Sequence, residues 1–128
     1  MFKNTPAFSG FSVNSLAAAK KFYGDVLEVT VEDRGDMGIT LKFPVCNDVY
    51  IYHKADHAPA AFTILNFVTE NINSAVDELL AKGVTIERYE GFHQDEKGIA
   101  RGIAAKMGPD IAWFKDPAGN ILSVLQEK

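Results

Sequence analysis

The sequence predicts an α+β fold of two tandem βαβββ modules that form a curved mixed β-sheet, with a concave ligand cavity and the helices outside. Its main support is a repeat, because a pattern of strand, helix and three strands occurs in residues 7–54 and begins again in residues 61–126. Each half also has only one helix, too poor in apolar surface to form a core alone. Residues 55–60 lack periodicity and are predicted to connect the modules within a single domain, residues 1–128.

The first module is predicted from alternating and helical patterns in turn. A strand at residues 7–13 precedes a helix that Asn14 or Ser15 caps and that runs to about Asp25. The helix is indicated by apolar residues at helical spacing: Leu16, Ala19, Phe22, Tyr23 and Val26. Three strands follow, at residues 27–34, 38–43 and 49–53.

The second module repeats this order. A strand at residues 61–68 leads to a helix at residues 71–82, which Gly83 ends in the position that a left-handed residue would occupy. A strand at residues 84–89 precedes a long polar segment, residues 90–102, of which residues 92–97 are predicted to be a mobile loop or lid. Further strands are predicted at residues 103–107 and in the final hairpin.

The final hairpin is the strongest local signal in the chain. Residues 111–125 read I-A-W-F-K-D-P-A-G-N-I-L-S-V-L, two apolar runs around a tight turn. Pro117 presets its own φ angle, Gly119 can adopt a positive φ, and the side chains of Asp116 and Asn120 can bond local backbone groups. The alternation places the small hydroxyl of Ser123 among apolar neighbours on one face.

Composition and charge argue against several classes of function. The 128 residues are 47% hydrophobic and 23% charged, as in an ordinary globular protein. The net charge of −4 and the lack of a Lys/Arg cluster argue against nucleic acid as a partner. The single cysteine, Cys46, allows no internal disulfide, and no apolar run has the length of a membrane span. These features predict a cytoplasmic protein with neither a nucleic-acid nor a membrane partner.

Two motifs resemble a known superfamily. F-Y-G-D-V-L at residues 22–27 and K-D-P-A-G-N-I-L-S-V at residues 115–124, together with the repeat, resemble the vicinal oxygen chelate superfamily. That superfamily includes glyoxalases, extradiol dioxygenases, and fosfomycin and bleomycin resistance proteins. The resemblance covers nearly the whole chain and is closest in character to the metal-free bleomycin resistance group. It implies a homodimer that binds a small molecule, whereas the fold alone hosts several chemistries.

The resemblance also indicates where a metal would bind. In enzymes of the superfamily two His and a Glu commonly hold a divalent ion, and the matching positions here are Phe8, Thr63 and Ser123. A phenyl ring and neutral hydroxyls are poor ligands for such an ion. A shift of one residue would bring Ser9 and Ile64, which are no better. We therefore expect no metal, no other cofactor and no catalytic residue of this kind.

An enzyme with displaced ligands is the alternative interpretation. A lyase such as a glyoxalase, an isomerase or a dioxygenase could draw on His53, His57, His93 or Glu70. His53 and His57 are four residues apart, but Pro59 and the connector composition disfavour the helix that would bring them together. A structural or regulatory protein without a small ligand is a third interpretation.

A ligand pocket is the leading expectation for the concave face. The residues expected to line it are aromatic, apolar or hydroxyl-bearing, with one histidine from the polar loop: Phe8, Tyr50, Tyr52, Thr63, Leu65, Phe67, Trp113, Ser123 and His93. These aromatic side chains could instead simply fill the core. The negative net charge suits a cationic or neutral ligand better than a phosphate-bearing one. The sequence thus predicts a small-molecule binding protein for an apolar, aromatic or cationic ligand.

Overall fold

The chain forms two compact units, each with its own four-stranded mixed sheet. The computed structural model describes residues 1–128, and unit one spans Met1–Ala58 and unit two Pro59–Lys128. Both units follow the order strand, helix, three strands, so the predicted α+β fold with two βαβββ modules is confirmed. The boundary between the units falls inside the segment at residues 55–60.

Unit one contains strands β1 to β4 in the spatial order β1-β4-β3-β2. Their bounds are β1 Ser9–Val13, β2 Thr30–Asp33, β3 Ile39–Lys42 and β4 Val49–His53. β1 runs parallel to β4, and the other two pairs are antiparallel. The parallel pair requires a crossover, which the helix after β1 begins.

The helix of unit one changes geometry along its length. Helix α1, Leu16–Lys21, begins where the Ser15 hydroxyl accepts a hydrogen bond from the Ala18 amide at 3.2 Å. It continues as a π-helical turn, Phe22–Val26, in which the Leu27 amide donates to the Phe22 carbonyl at 2.9 Å. The prediction of one regular helix to Asp25 therefore missed the wider last turn, which helical periodicity cannot distinguish.

The two faces of the unit-one sheet differ in chemistry. One face is buried and carries Val13, Ile39, Leu41, Val49 and Ile51. Tyr23, fully buried, packs on that side with its ring 6.1 Å from the ring of Phe11. Because side chains alternate along a strand, the opposite face carries polar and aromatic residues: Gly10, Ser12, Thr40, Tyr50 and Tyr52. We call this opposite side the open face of unit one.

Unit two contains strands β5 to β8 in the spatial order β5-β8-β7-β6. Its elements are β5 Thr63–Val68, α2 Ile72–Ala81, β6 Ala100–Arg101, α3 Gly102–Ala105, β7 Asp110–Lys115 and β8 Ile121–Gln126. The Asn71 side chain accepts from the Ser74 amide at 3.1 Å at the start of α2, and Gly83 follows its end with φ +83°. Neither of the other two helices is longer than α2, and no helix in the structure could span a membrane.

Two predicted strands of unit two were wrong. Residues 84–89 form no strand and contribute only an isolated bridge between Glu87 and Trp113. The first of the three strands after α2 is instead the two-residue β6. Residues 103–107 begin within α3, where the Ile103 amide donates to a carboxylate oxygen of Asp110 at 3.0 Å. That local hydrogen bond offers the backbone an alternative to a sheet ladder.

A bulge in β5 changes which side chains share a face. Thr63 is opposite Ile121, but the register shifts so that Leu65 is opposite Leu122 and Asn66 is opposite Ser123. Ile64 is the extra residue, and an extra residue moves every later side chain to the other face. Leu65 and Phe67 therefore lie on the face of the buried Leu122 and Val124. The expectation that they share a face with Ser123 was wrong.

The turn between β7 and β8 is closed by Asp116, a buried residue. One of its carboxylate oxygens accepts from the amides of Ala118 and Asn120, both at 2.9 Å, and the other accepts from the Asn120 side chain at 2.9 Å. Gly119 adopts φ +85°. The turn chemistry predicted from the sequence is thus present, and it fixes the register that places Ser123 opposite Trp113.

Candidate functional site

A pocket of about 1020 Å³ lies on the open face of unit one. Thr40 and Tyr50 form part of its wall from β3 and β4, and Phe8 approaches from the residues before β1. Phe8 is 71% exposed, so its ring is accessible to a ligand. Two residues predicted to bind ligand, Phe8 and Tyr50, therefore line one pocket.

The carboxylates of this pocket are paired with basic side chains. Glu32, Asp33 and Asp48 contribute three carboxylates to its lining, and these lie 3.0 Å from Arg34, 2.7 Å from Lys20 and 2.7 Å from Lys42, respectively. Arg34 is 3.0 Å from Glu32 and donates a 2.7 Å hydrogen bond to the Thr40 hydroxyl. The hydrogen bond from Lys20 and one from the Gly35 amide lower the pKa of Asp33, so this carboxyl is ionised near neutral pH. Because each carboxylate is paired, only the net charge of −4 of the whole chain favours cationic over anionic groups.

Two tyrosines form an aromatic surface next to the pocket. The rings of Tyr50 and Tyr52 are 6.0 Å apart and inclined by 24°, an offset stack along β4. The Tyr50 hydroxyl donates a hydrogen bond to the Met37 carbonyl, which fixes the ring against the turn at Gly35–Met37. Tyr52 remains 39% exposed. Such a stack offers both apolar area and a π face to a flat or cationic ligand.

Ser123 lies at the centre of the unit-two sheet. It is fully buried between Asn66 on β5 and Trp113 on β7. Its hydroxyl is 2.5 Å from the Oδ1 atom of Asn66, to which it donates. The polar contact of Ser123 is therefore made within the protein rather than with a ligand. Thr63, half-buried, lies toward the other end of β5 and opposite Ile121.

Trp113 carries a cluster of aromatic rings on the face of Ser123. The Tyr89 ring meets it edge-on, with centroids 5.6 Å apart and planes at 82°, and the Phe92 ring lies 5.0 Å away at 56°. We call Trp113, Tyr89 and Phe92 the tryptophan cluster. Trp113 itself is only 9% exposed, while Phe92 is 56% exposed. Trp113, which was predicted to bind ligand, is thus covered by Tyr89 and Phe92, which were not predicted to do so.

The Tyr89 hydroxyl has an unusual environment. Its oxygen is buried and has no hydrogen-bond partner. Desolvation, followed by the nearby Glu87 carboxylate, raises the pKa of this hydroxyl. An unsatisfied buried hydroxyl costs roughly 1–3 kcal/mol. Most buried polar groups in native proteins have a partner, so this atom requires an explanation.

The polar segment predicted as a lid has a hydrogen-bonded base and an exposed tip. The Gln94 side chain accepts from the Tyr89 amide and donates to the carbonyls of Glu87 and Gly98 at 2.7–2.9 Å. Asp95 accepts from two backbone amides and from Arg101 at 2.9–3.0 Å. His93, another predicted ligand residue, is exposed at the tip.

The residues at the three expected metal positions carry no strong metal ligand. Phe8 is an exposed phenyl side chain, Thr63 carries a neutral hydroxyl, and the Ser123 hydroxyl is engaged by Asn66. In addition, no group of three or more His, Cys, Asp or Glu side chains is placed to hold a metal ion. The donor set does not fit the divalent ion that related enzymes use.

The histidines considered for displaced ligation do not converge. His53 pairs with Val13 and so points to the buried side of the unit-one sheet. His57 lies with its Nδ1 atom 2.6 Å from the hydroxyl of Ser12, which belongs to the open face. The two rings are therefore directed to opposite sides of the sheet. Cys46 is exposed and carries a free thiol.

Three features of the site were missed from the sequence. Asn66 was assigned to the other face because alternation cannot reveal a bulge, although a polar residue in an apolar strand was a signal. Tyr89 and Phe92 lie in or next to an aperiodic segment, so no pattern indicated that they reach Trp113.

The family comparison agrees with this architecture. A family model described as "Glyoxalase/Bleomycin resistance protein/Dioxygenase superfamily" matches residues 8–124. None of the curated proteins compared with the chain matches it. The match includes both repeats and both motifs, and it covers well over half of the chain.

Solved structures show the same fold at low identity. An integron cassette protein from V. cholerae has a TM-score of 0.68 at 20% identity, covering 100% of this chain and 98% of that one. A superfamily member from Sphaerobacter thermophilus has a TM-score of 0.67 at 19% identity, covering 95% and 98%. TnmS3, an antibiotic binding protein from Streptomyces sp. CB03234, has a TM-score of 0.67 at 16% identity, covering 98% of each chain.

Proposed function

Because the chain belongs to the glyoxalase/bleomycin resistance protein/dioxygenase superfamily, we propose that it is a metal-free protein that binds and sequesters a small aromatic ligand, cationic or neutral. Ligand binding needs no reacting group in the site, only a shaped surface with a few polar contacts. In this chain, aromatic and hydroxyl-bearing side chains occupy the positions at which the superfamily resemblance would place metal ligands.

The main support for the proposal is the burial and the hydrogen bond of the Ser123 side chain. A metal-dependent relative needs a carboxylate there, directed at the ion. This chain has a fully buried hydroxyl that is satisfied by Asn66. Moreover, Phe8 supplies no lone pair at the first ligand position. Two substitutions that each remove a ligand leave no basis for the Lewis-acid chemistry of the enzymes.

The open face of unit one supports the choice of ligand. Its pocket of about 1020 Å³ is large enough for a drug-sized molecule. Phe8 and Tyr50 offer aromatic contact, while the three carboxylates of the lining are each paired with a basic side chain. Aromatic surface combined with the net negative charge of the whole chain favours a planar cation over an anion. The relation to TnmS3, an antibiotic binding protein, is compatible with sequestration of such a compound.

The first test is a thermal-shift titration with an aromatic cation and a matched anion. We expect N-methylquinolinium to raise Tm and 2-naphthalenesulfonate to have a smaller effect. At about 100 times Kd a ligand that binds only the folded protein stabilises it by about 2.7 kcal/mol, a shift of several degrees. Phe8→Ala should weaken N-methylquinolinium binding by about tenfold, which corresponds to about 1.4 kcal/mol.

A matched variant and a metal analysis complete the test. Phe2→Ala removes a phenyl ring that is 74% exposed, close to the 71% of Phe8, but outside the pocket lining. It should leave the affinity unchanged. Protein purified without chelator should contain substoichiometric divalent metal. A stoichiometric metal that His→Ala variants lose together with turnover would contradict the proposal and support a lyase, isomerase or dioxygenase with displaced ligands.

A further inference from the structure

We propose that the tryptophan cluster of unit two is a second aromatic binding site, closed in this structure by Phe92, and that it accepts a planar aromatic ligand bearing a hydrogen-bond acceptor for the Tyr89 hydroxyl. This inference rests on the proposed function, because it assigns a second contact surface to the same class of ligand. The site is distinct from the unit-one pocket in residues and in the group that would select the ligand.

Phe92 covers Trp113 but is itself more than half exposed. The two ring centroids are 5.0 Å apart, yet 56% of Phe92 remains exposed. A ring packed as part of a core would be mostly buried. Phe92 hides Trp113, which is only 9% exposed, while burying less than half of its own surface. A planar ligand on the same indole would replace this contact at little loss to the fold.

The Tyr89 hydroxyl has no hydrogen-bond partner. Its ring packs edge-on against Trp113 at 5.6 Å, so the phenol is held at the indole rather than in a remote part of the core. The oxygen is buried without a partner, which is unfavourable unless another state satisfies it. A ligand that replaces Phe92 and carries an acceptor would receive the Tyr89 proton. Burial and then the nearby Glu87 carboxylate raise the pKa of the phenol, so the hydroxyl remains a donor.

The segment that carries Phe92 has a hydrogen-bonded base and a glycine at its tip. Its base is fixed, because Gln94 bonds backbone groups of Glu87, Tyr89 and Gly98. The tip contains Gly91, which has φ +87° and no neighbouring atom within 4 Å of where a side chain would begin. The tip can therefore change conformation while the base keeps Tyr89 in place. This arrangement would move Phe92 away without disrupting the tryptophan cluster.

The experiment uses Trp113 as a reporter, since it is the only tryptophan in the chain. Isoquinoline and naphthalene have the same shape, but only isoquinoline has a ring nitrogen that accepts a hydrogen bond. In fluorescence titrations of the full chain we expect Phe92→Ala to tighten the binding of both compounds about tenfold. Tyr89→Phe should weaken isoquinoline binding about tenfold and leave naphthalene binding unchanged.

The controls separate this inference from the proposed function. Glu90→Ala changes an exposed residue of the same tip and should leave both affinities unchanged. Tyr89→Phe should not lower the midpoint of denaturant unfolding, because it removes a hydroxyl that has no partner. Weaker binding in Phe92→Ala would overturn the closed-site inference, as would an equal effect of Tyr89→Phe on both compounds. If Trp113 fluorescence does not respond while N-methylquinolinium still raises Tm, the second site is wrong and the proposed function stands.

Discussion

The Ser123 hydroxyl donates a hydrogen bond to the Asn66 side chain across the parallel strands β8 and β5. This pair exists because a bulge at Ile64 turns Asn66 to the face of Ser123. The superfamily resemblance matches Ser123 to the position at which metal-dependent relatives would carry a carboxylate. In this chain the buried side chain there is neutral and hydrogen-bonded within the protein, so we expect the stability of this part of the sheet to depend on its remaining neutral.

Substitution of Ser123 tests this relationship. Ser123→Ala removes one hydrogen bond, and the exposed Asn66 can then bond to water, so we expect a loss of about 1 kcal/mol in the free energy of unfolding. Ser123→Glu buries a charge without a partner and should cost at least about 3 kcal/mol. Both values are measured by urea denaturation. If added divalent metal restored the stability of Ser123→Glu, a latent metal site would exist, contrary to our interpretation.

The β7–β8 turn offers a second stability test. Asp116→Ala leaves the amides of Ala118 and Asn120 without their acceptor, and Asn120 is only 2% exposed. We expect a loss of roughly 3 kcal/mol in the free energy of unfolding. Asp116→Asn retains one oxygen acceptor for these amides and should lose less. Equal losses in the two variants would show that charge, rather than the acceptor geometry, stabilises the turn.

The elements that local chemistry specifies were predicted well. The sequence placed α2 at residues 71–82, and the structure has it at Ile72–Ala81, because Asn71 and Gly83 mark its ends. The hairpin was equally clear from its turn residues. The prediction of a strand at residues 84–89 was wrong. The alternation of apolar residues there does not determine whether a neighbouring strand pairs along the whole segment.

The residues of the candidate site could be predicted only in part, because periodicity reveals neither a bulge nor the contacts of a loop. Period-2 alternation correctly grouped Tyr50 and Tyr52 on one face, but it failed for Leu65 because of the bulge before it. The contacts of Tyr89 and Phe92 with Trp113 depend on how a loop folds back in three dimensions. Such contacts are set by tertiary packing and leave no periodic trace in the chain.

Two glycines of unit one provide a matched pair for backbone strain. Gly35 and Gly38 have φ angles of +63° and +114°, but a side chain at Gly38 would begin 2.2 Å from the Ile51 carbonyl oxygen, whereas Gly35 has open space. We expect Gly35→Ala to cost about 1 kcal/mol, and Gly38→Ala about 3 kcal/mol or more. Thermal or urea unfolding measures both. Similar losses would mean that β3 and β4 can separate enough to admit the methyl group.

The Asp95 carboxylate should make unit two sensitive to acid. Burial raises the pKa of Asp95, but hydrogen bonds from the Ile99 amide, the Arg101 side chain and the Lys97 amide outweigh this effect, so that the pKa lies below its ordinary value of 3.8. A carboxyl whose pKa is lower in the folded state stabilises the fold above its unfolded pKa, and this contribution is lost as the pH falls through the folded value. We therefore expect acid to weaken the base of the segment that carries Phe92.

The measurement compares Asp95→Asn with the wild-type chain in urea denaturation from pH 7 to pH 2.5. The variant should be less stable than wild type at neutral pH, because its neutral amide loses the charged contact with Arg101. The difference should shrink as the pH falls below 3.8, where the wild-type carboxylate is progressively protonated. Asp36→Asn, at an exposed turn of unit one, serves as the control. A difference for Asp95→Asn that stays constant with pH would show that the Asp95 charge does not stabilise this segment.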